Sequence, residues 1–403
     1  VGPSQPASVH ALAWSINAVL GNLNKTVTLT EEPAAEEALC VDAIADLVEK
    51  MNAGEIDTLL ILGGNPVFDA PADLDFAAAL KNVKTTAHLA LYDNETSNAC
   101  DWHLPEAHYL ECWGDGRAWD GTLCLQQPLI EPLFGGKSPI EVLATLAGDD
   151  TTAGYDLVRR AWSAALKAGR YDVKAGRWAS GAGSEKAWRA VVHDGLLAGS
   201  GFEPIRTAPG RAAATGISVT RADMQIAFRA DPKVYDGRFA NNGWLQELPE
   251  TITKITWDNP AWVSIKDAQA MGLENGDVIK ITVDGRSLDV AVFVVPGQAP
   301  GVIALTLGQG RTAGGRVAEG VGFNTYTLRT TDSRNTVVSA QVEKTGQTHP
   351  LAVTSIHHLI DTGRLDQAGT DAVAEYGLNK RIGKKVGDEG ILIKQASLAE
   401  YLE

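Results

Sequence analysis

The chain lacks several things, and each absence narrows the reading. Its 403 residues hold only four cysteines, Cys40, Cys100, Cys112 and Cys124, and no C-x-x-C pair. That excludes a sequence-local iron–sulfur or zinc site. It leaves either free thiols or, for the three that share one segment, a disulfide. Positive charge is scarce as well: the net charge is −15, which argues against nucleic acid or an anionic lipid surface as a direct ligand. No apolar run reaches the roughly 18 residues that a bilayer-spanning helix needs. Neither the P-loop nor the G-x-G-x-x-G fingerprint occurs. The histidines are poorly placed for a metal. His103 and His108 are separated by Pro105 and do not share a helix face, and His357 and His358 are adjacent and point apart. No nucleophile, base and oxyanion donor can be assembled from neighbouring motifs, so no catalytic residue is assigned. The first residue is Val1 rather than Met, and the chain is expected to be a piece of something longer.

What is present is a chain long enough for two or three domains with sizeable cores. Residues 58–62 are a short apolar run that stops at Gly63-Gly64-Asn65-Pro66. Buried parallel strands end this way at the carboxyl edge of an α/β sheet, where ligands bind. Two glycines permit a sharp turn and close backbone approach, and Pro66 argues against a simple helical continuation. Helical spacing over 8–20 and 36–52, strand patterns at 25–30, 58–62 and 86–91, and further helices at 72–81 and 138–146 give the alternation of a doubly wound α/β sheet over residues 1–150. Residues 151–215 read as a helical connector, with helices at 155–166 and 184–192 and small-residue stretches beside them. From 216 to 403 short strands take over: 224–229, 261–265, 277–283, 286–295 and 302–307. A short helix at 266–271 and a hairpin turn at Asp284-Gly285 interrupt them.

Two stretches are candidate binding elements. Gly63, Gly64 and Asn65 either line a nucleotide site or form a structural strand-end turn. The segment 308–316, with Gly310 and Arg311, either cradles an anion with its amides and guanidiniums or is a surface loop. The dense acids Asp93, Glu95, Asp101, Glu106 and Glu111 read as caps and buried polar partners. The ten tryptophans read as core or interface anchors.

The ordered combination of Gly63-Gly64-Asn65-Pro66, Glu95-Thr96-Ser97, Asp101, Leu104-Pro105 and Glu111 before Gly114 resembles the molybdopterin oxidoreductase superfamily. The second half resembles the dinucleotide-binding domain of the same superfamily. The residues that carry this are Asn242-Gly243-Trp244-Leu245, Trp257-Asp258-Asn259, Met271-Gly272-Leu273, Gly276-Asp277-Val278 and Pro296-Gly297. That resemblance implies a double-psi β-barrel there. It also implies that Gly63, Gly64, Asn65, Gly310 and Arg311 face a molybdopterin guanine dinucleotide, if one is bound.

One branch is closer still. Gln5-Pro6-Ala7-Ser8-Val9-His10, Thr354 with His357-His358, and the tail Ser397 to Tyr401 are similar to the iron–sulfur subunit of bacterial alternative complex III. This second resemblance implies a scaffold with no cofactor of its own in this fragment. The partners would be other subunits of a quinol-oxidising respiratory membrane complex and an iron–sulfur domain of the same polypeptide, whose clusters lie outside this sequence. The location would be peripheral, on the periplasmic side of the bacterial inner membrane. The alternative is the C-terminal half of a true molybdopterin-guanine-dinucleotide-dependent oxidoreductase.

Overall fold

The computed structural model describes residues 1–2, 5–31, 40–167, 170–172, 177–179, 184–206, 224–337 and 339–354. The phrases at 357–358 and 397–401 therefore lie outside the described residues, as does the side chain of Cys40. Within them the chain is a mixed α/β protein. Its strands are β1 (Thr58–Leu62), β2 (Thr85–Ala90), β3 (Trp102–Pro105), β4 (Gly114–Arg117), β5 (Leu123–Gln126), β6 (Arg170–Asp172), β7 (Arg177–Ala179), β8 (Gln225–Arg229), β9 (Ala261–Val263), β10 (Asp277–Val283), β11 (Arg286–Val294), β12 (Val302–Thr306), β13 (Thr336–Val337) and β14 (Gln341–Thr348).

β1, β2 and β3 form a parallel sheet in that order, with Leu62 beside Leu89 and Leu89 beside Leu104. All three carboxyl ends therefore open on one edge. The helix Cys40–Asn52 packs Val48 and Met51 against Phe76, Leu80 and Val83 beneath this sheet. Where a doubly wound sheet is expected over residues 1–150, the described residues show three parallel strands. Residues 25–30 do not add a fourth. They make isolated bridges, Leu23 to Val27 and Leu29 to Ile205, because no strand of the sheet runs beside them.

Pro66 also behaves differently from the expectation. It opens the short helix Pro66–Asp69 as its first residue, where its missing N–H costs nothing. The segment 241–249 contains the helix Gly243–Glu247, capped by Asn242.

The second half is one curled sheet of seven strands in the order β13-β8-β12-β9-β11-β10-β14, with parallel and antiparallel pairs mixed. Asp284 and Gly285 both have positive φ and close the β10–β11 hairpin, the backbone that a two-residue turn requires. Ile226, Val263, Ile279, Ile281, Val292, Ile303 and Leu305 fill the concave side. These β-branched and leucine side chains alternate with outward residues along the strands, so burial and register specify each other. Phe68 of the first half belongs to this same core. It stacks edge-on to Tyr326 at 5.1 Å between ring centroids.

A third cluster joins the β4–β5 hairpin to the helices Gly154–Lys167 and Ser184–Asp194. Trp113, Tyr155, Trp162 and Trp188 pack edge-on or tilted, and Trp162 Nε1 donates to Asp115 at 2.7 Å. Cys100, Cys112 and Cys124 are free thiols. No helix among the described residues is long and apolar enough to cross a membrane.

Candidate functional site

The strand-end turn is built from its backbone outward. Gly63 and Gly64 have φ of 68° and 72°, which a side-chain-bearing residue adopts only under strain. The reversal lets the Gly63 amide donate to Leu89 O at 2.8 Å and delivers Asn65 to the sheet edge. Asn65 is buried, and both ends of its side-chain amide are engaged. Its Nδ2 donates to Glu95 Oε2 at 2.7 Å, and its Oδ1 accepts from the Thr96 amide and hydroxyl. Asn94 caps the helix Glu95–Ala99 by accepting from the Thr96 and Ser97 amides. The first residue of that helix, Glu95, is thereby aimed at the second half of the molecule.

There it meets Arg311. Arg311 Nη2 donates to Glu95 Oε2 at 2.7 Å, and Arg311 Nε donates to Oε1 at 3.0 Å. The amides of Thr312 and Ala313 donate to the same carboxylate at 2.8 and 3.0 Å. Arg311 Nη1 is spent on Gly237 O, and the guanidinium lies 4.7 Å from the Phe68 ring centre. Arg311 and Glu95 are 6% and 8% exposed. Burial works to raise the Glu95 carboxyl, but the donors Arg311, Asn65 and Ala313 outweigh it and hold it at about 2.

Beside this pair opens a cavity of about 300 Å³. One wall is the carboxyl edge of the parallel sheet: Gly63, Gly64 and Asn65 after β1, Tyr92 and Asn94 after β2, and Glu106 after β3. The other wall is Asp236, Arg238, Asn241, Arg311 and Gly314 of the second half. The cavity thus lies at the sheet edge where α/β folds place ligands, and two parts of the chain far apart in sequence enclose it.

Of the residues singled out from sequence, Gly63, Gly64, Asn65 and Arg311 line this one cavity. Gly310 does not line it. Its α-carbon is packed against the backbone of Phe323 and Asn324. Glu106 lines the cavity too, and burial pushes its carboxyl upward. Two other acids of that stretch act as local partners: Asp101 accepts from the Thr86 amide and hydroxyl, and Glu111 accepts from the His108 amide.

Sequence reading missed Asp69, Tyr92, Asp236, Arg238 and Asn241. Asp69 sits one turn into the helix that Pro66 opens. Burial and the neighbouring Asp236 push its carboxyl up to about 7. Asp236 itself is held by Arg238, whose Nη2 donates to Oδ2 at 2.7 Å. The available signal was the spacing Asn65-x-x-x-Asp69, which puts an acid at the end of a short helix rooted at the sheet edge. Asp236 and Arg238 flank Gly237 in a turn, and nothing local marks that turn as part of a cavity.

A buried polar chain supports the turn from behind. His88 is fully buried. Its Nε2 lies 3.3 Å from Gly63 O and its Nδ1 2.8 Å from Ser97 Oγ, which in turn lies 2.9 Å from His103 Nδ1. Nε2 carries a hydrogen to satisfy the Gly63 carbonyl, so at Nδ1 neutral His88 accepts a hydrogen bond donated by the Ser97 hydroxyl. Burial lowers its pKa, which keeps it neutral. Among the described residues no group of three or more His, Cys, Asp or Glu is arranged to hold a metal ion.

Residues 241–351 match the family model of the molydopterin dinucleotide binding domain. Among solved structures, acetylene hydratase from Pelobacter acetylenicus is similar over 74% of this chain, at 14% identity and a TM-score of 0.48. The matched part is 46% of that protein, so the chain spans less than half of its length. No curated protein sequence matches the chain. The family match overturns the expectation that this fragment has no cofactor of its own: the strands from Ala261 to Thr348 lie inside the segment that matches a dinucleotide binding domain.

Proposed function

We propose that the chain is the C-terminal part of a molybdopterin-dependent oxidoreductase and that the cavity holds the nucleotide end of its dinucleotide cofactor. One observation carries this reading. Asn241, Arg311 and Gly314 fall inside the matched dinucleotide-binding segment, and they face the carboxyl edge of a parallel sheet across a common cavity. The curled seven-stranded sheet supports reading residues 216–403 as a double-psi β-barrel domain, with 1–150 as the α/β domain and 151–215 between them.

The residues present suit such a group. A cavity of about 300 Å³ stands at the small end of the range for bound small molecules, enough for one nucleotide rather than a whole dinucleotide. Arg238, Asn241 and the Nδ2 of Asn94 offer donors, while Asp69 and Glu106 offer acceptors. Tyr92 offers a half-exposed ring for stacking. When bound, the cofactor supplies the redox chemistry, and the chain binds and orients it. In that division of labour the Gly63-Gly64 turn lets the ligand approach the backbone. Asp69 and Arg238 distinguish its hydrogen-bonding edges and its charge.

The test is chemical. Acid extraction of the full-length protein, followed by nucleotide chromatography, should release one guanine nucleotide per chain. A metal-loaded protein that releases none would refute the reading.

A second placement rests on the phrases at 5–10 and 354–358. We propose from them that the full polypeptide is the iron–sulfur subunit of a quinol-oxidising complex at the periplasmic face of a bacterial inner membrane. The rest of the reading frame decides. Cysteine clusters downstream of residue 403 support this placement; a metal-ligand domain upstream of residue 1 with no such clusters rejects it.

A further inference from the structure

Glu95 makes an unusual set of contacts for a carboxylate that begins a short helix. It receives Arg311 Nε and Nη2, the consecutive amides of Thr312 and Ala313, and Asn65 Nδ2, with the Thr312 hydroxyl at 3.5 Å. Two adjacent backbone amides beside a guanidinium fork are the donor set that proteins present to phosphate or free carboxylate. Here an internal side chain fills it. Neither Asp69 nor Glu106 has a contact of this kind, although both line the same cavity.

We infer that the 311–313 segment is an anion cradle whose resident anion is the tethered carboxylate of Glu95, so that the loop is closed to the phosphates of any ligand in the neighbouring cavity. Three observations carry this. The donors are geometrically complete around the two oxygens at 2.7–3.1 Å. Arg311 is 6% exposed and each of its three nitrogens already donates, Nε and Nη2 to Glu95 and Nη1 to Gly237 O, so the guanidinium is held on Glu95 from both sides. The pair joins residues 216 apart in sequence, so it also clamps the strand-end turn onto the second half. The ligand's anionic groups then have to meet Arg238 and Asn241, farther along the same wall. Glu95 is in this sense a specificity-determining residue for how the cavity is filled. The cradle itself does not depend on the cofactor reading.

The consequence is testable without any cofactor. Truncation in E95A leaves a guanidinium, two amides and the Asn65 amide around a carboxyl-sized gap. An external small anion should then bind where none binds before. The readout is thermal unfolding in formate, acetate or inorganic phosphate against equal ionic strength of chloride. At ten times its dissociation constant such an anion should raise the E95A melting temperature by about 2 °C, with no anion-specific rise in the unaltered protein. The doubly altered E95A/R311M should lose the effect. If E95A is unfolded in chloride, the same expectation reads as recovery of folded protein when formate or acetate is added. Equal response of the unaltered protein and E95A, or persistence of the response in E95A/R311M, would overturn the inference. Guanine nucleotide release from the full-length protein stands or falls separately, so failure here leaves the proposed function standing and its failure leaves the cradle intact.

Discussion

Arg311 and Glu95 form a buried ion pair, Nη2 to Oε2 at 2.7 Å, that joins the carboxyl edge of a three-stranded parallel sheet to a loop of the seven-stranded sheet. Both partners are almost wholly removed from water. Such a pair need not stabilise more than a well-packed apolar pair would, but breaking it strands a buried charge.

R311M should therefore destabilise the protein by about 3–5 kcal/mol, measured by urea unfolding. The conservative R311K should recover only part of the loss, because lysine cannot supply the Nε and Nη2 donors together. A variant R311M as stable as the parent would show that the pair is dispensable.

The same carboxylate sets an acid limit. An unfolded glutamate takes up its proton near 4.5, whereas folded Glu95 resists until about 2. Its contribution is complete above 4.5 and is lost as pH falls toward 2. Unfolding free energy followed over that window should fall more steeply for the parent than for E95Q. Parallel curves would mean that Glu95 is not the group responsible.

Asp69 behaves in the opposite sense. Its carboxyl ionises at 3.8 when unfolded and at about 7 in the fold, so the fold binds the proton more tightly and stability declines as pH rises from 3.8 to 7. Burial and Asp236 raise it, Arg311, Arg329 and Arg238 lower it, and the first two together outweigh the three arginines. D69N should gain stability at pH 8, on the order of 4 kcal/mol at most, and almost none at pH 4. Superimposable pH profiles for parent and variant would contradict this.

Gly310 and Gly285 share a φ of 79° but differ in surroundings. A Cβ on Gly310 would lie 2.1 Å from the Asn324 amide nitrogen, whereas Gly285 has open space around it. G285A should cost about 1–2 kcal/mol, the backbone strain alone. G310A adds a clash with main chain and should cost at least twice that, roughly 3 kcal/mol or more. Equal costs would remove the packing account of Gly310.

The comparison of sequence with structure separates along contact range. The strand end at Gly63-Gly64-Asn65-Pro66 was legible because an apolar run and its breaker residues lie within ten positions. The β10–β11 hairpin was legible for the same reason, since Asp284-Gly285 dictates its own turn. Glu95 was visible only as one acid among five. Its partner lies 216 residues away, and no local period or propensity marks either end. Gly310 and Arg311 were read as one motif, yet adjacent residues in a tight loop point apart, and only Arg311 lines the cavity. The small size of the parallel sheet was likewise hidden. Residues 25–30 have strand composition, but composition does not say whether an edge is free to receive them.

The account rests on the cavity between Asn65 and Asn241 being a nucleotide site. Isothermal titration of guanosine diphosphate into the chain tests this most directly, with R238E as the comparison. Arg238 is chosen because it lines the cavity from an exposed position and its reversal leaves the Glu95–Arg311 clamp untouched. The account predicts binding of one nucleotide at about −8 kcal/mol, roughly micromolar, weakened at least tenfold in R238E. Absence of binding by the folded parent chain, or binding that R238E leaves unchanged, would contradict it.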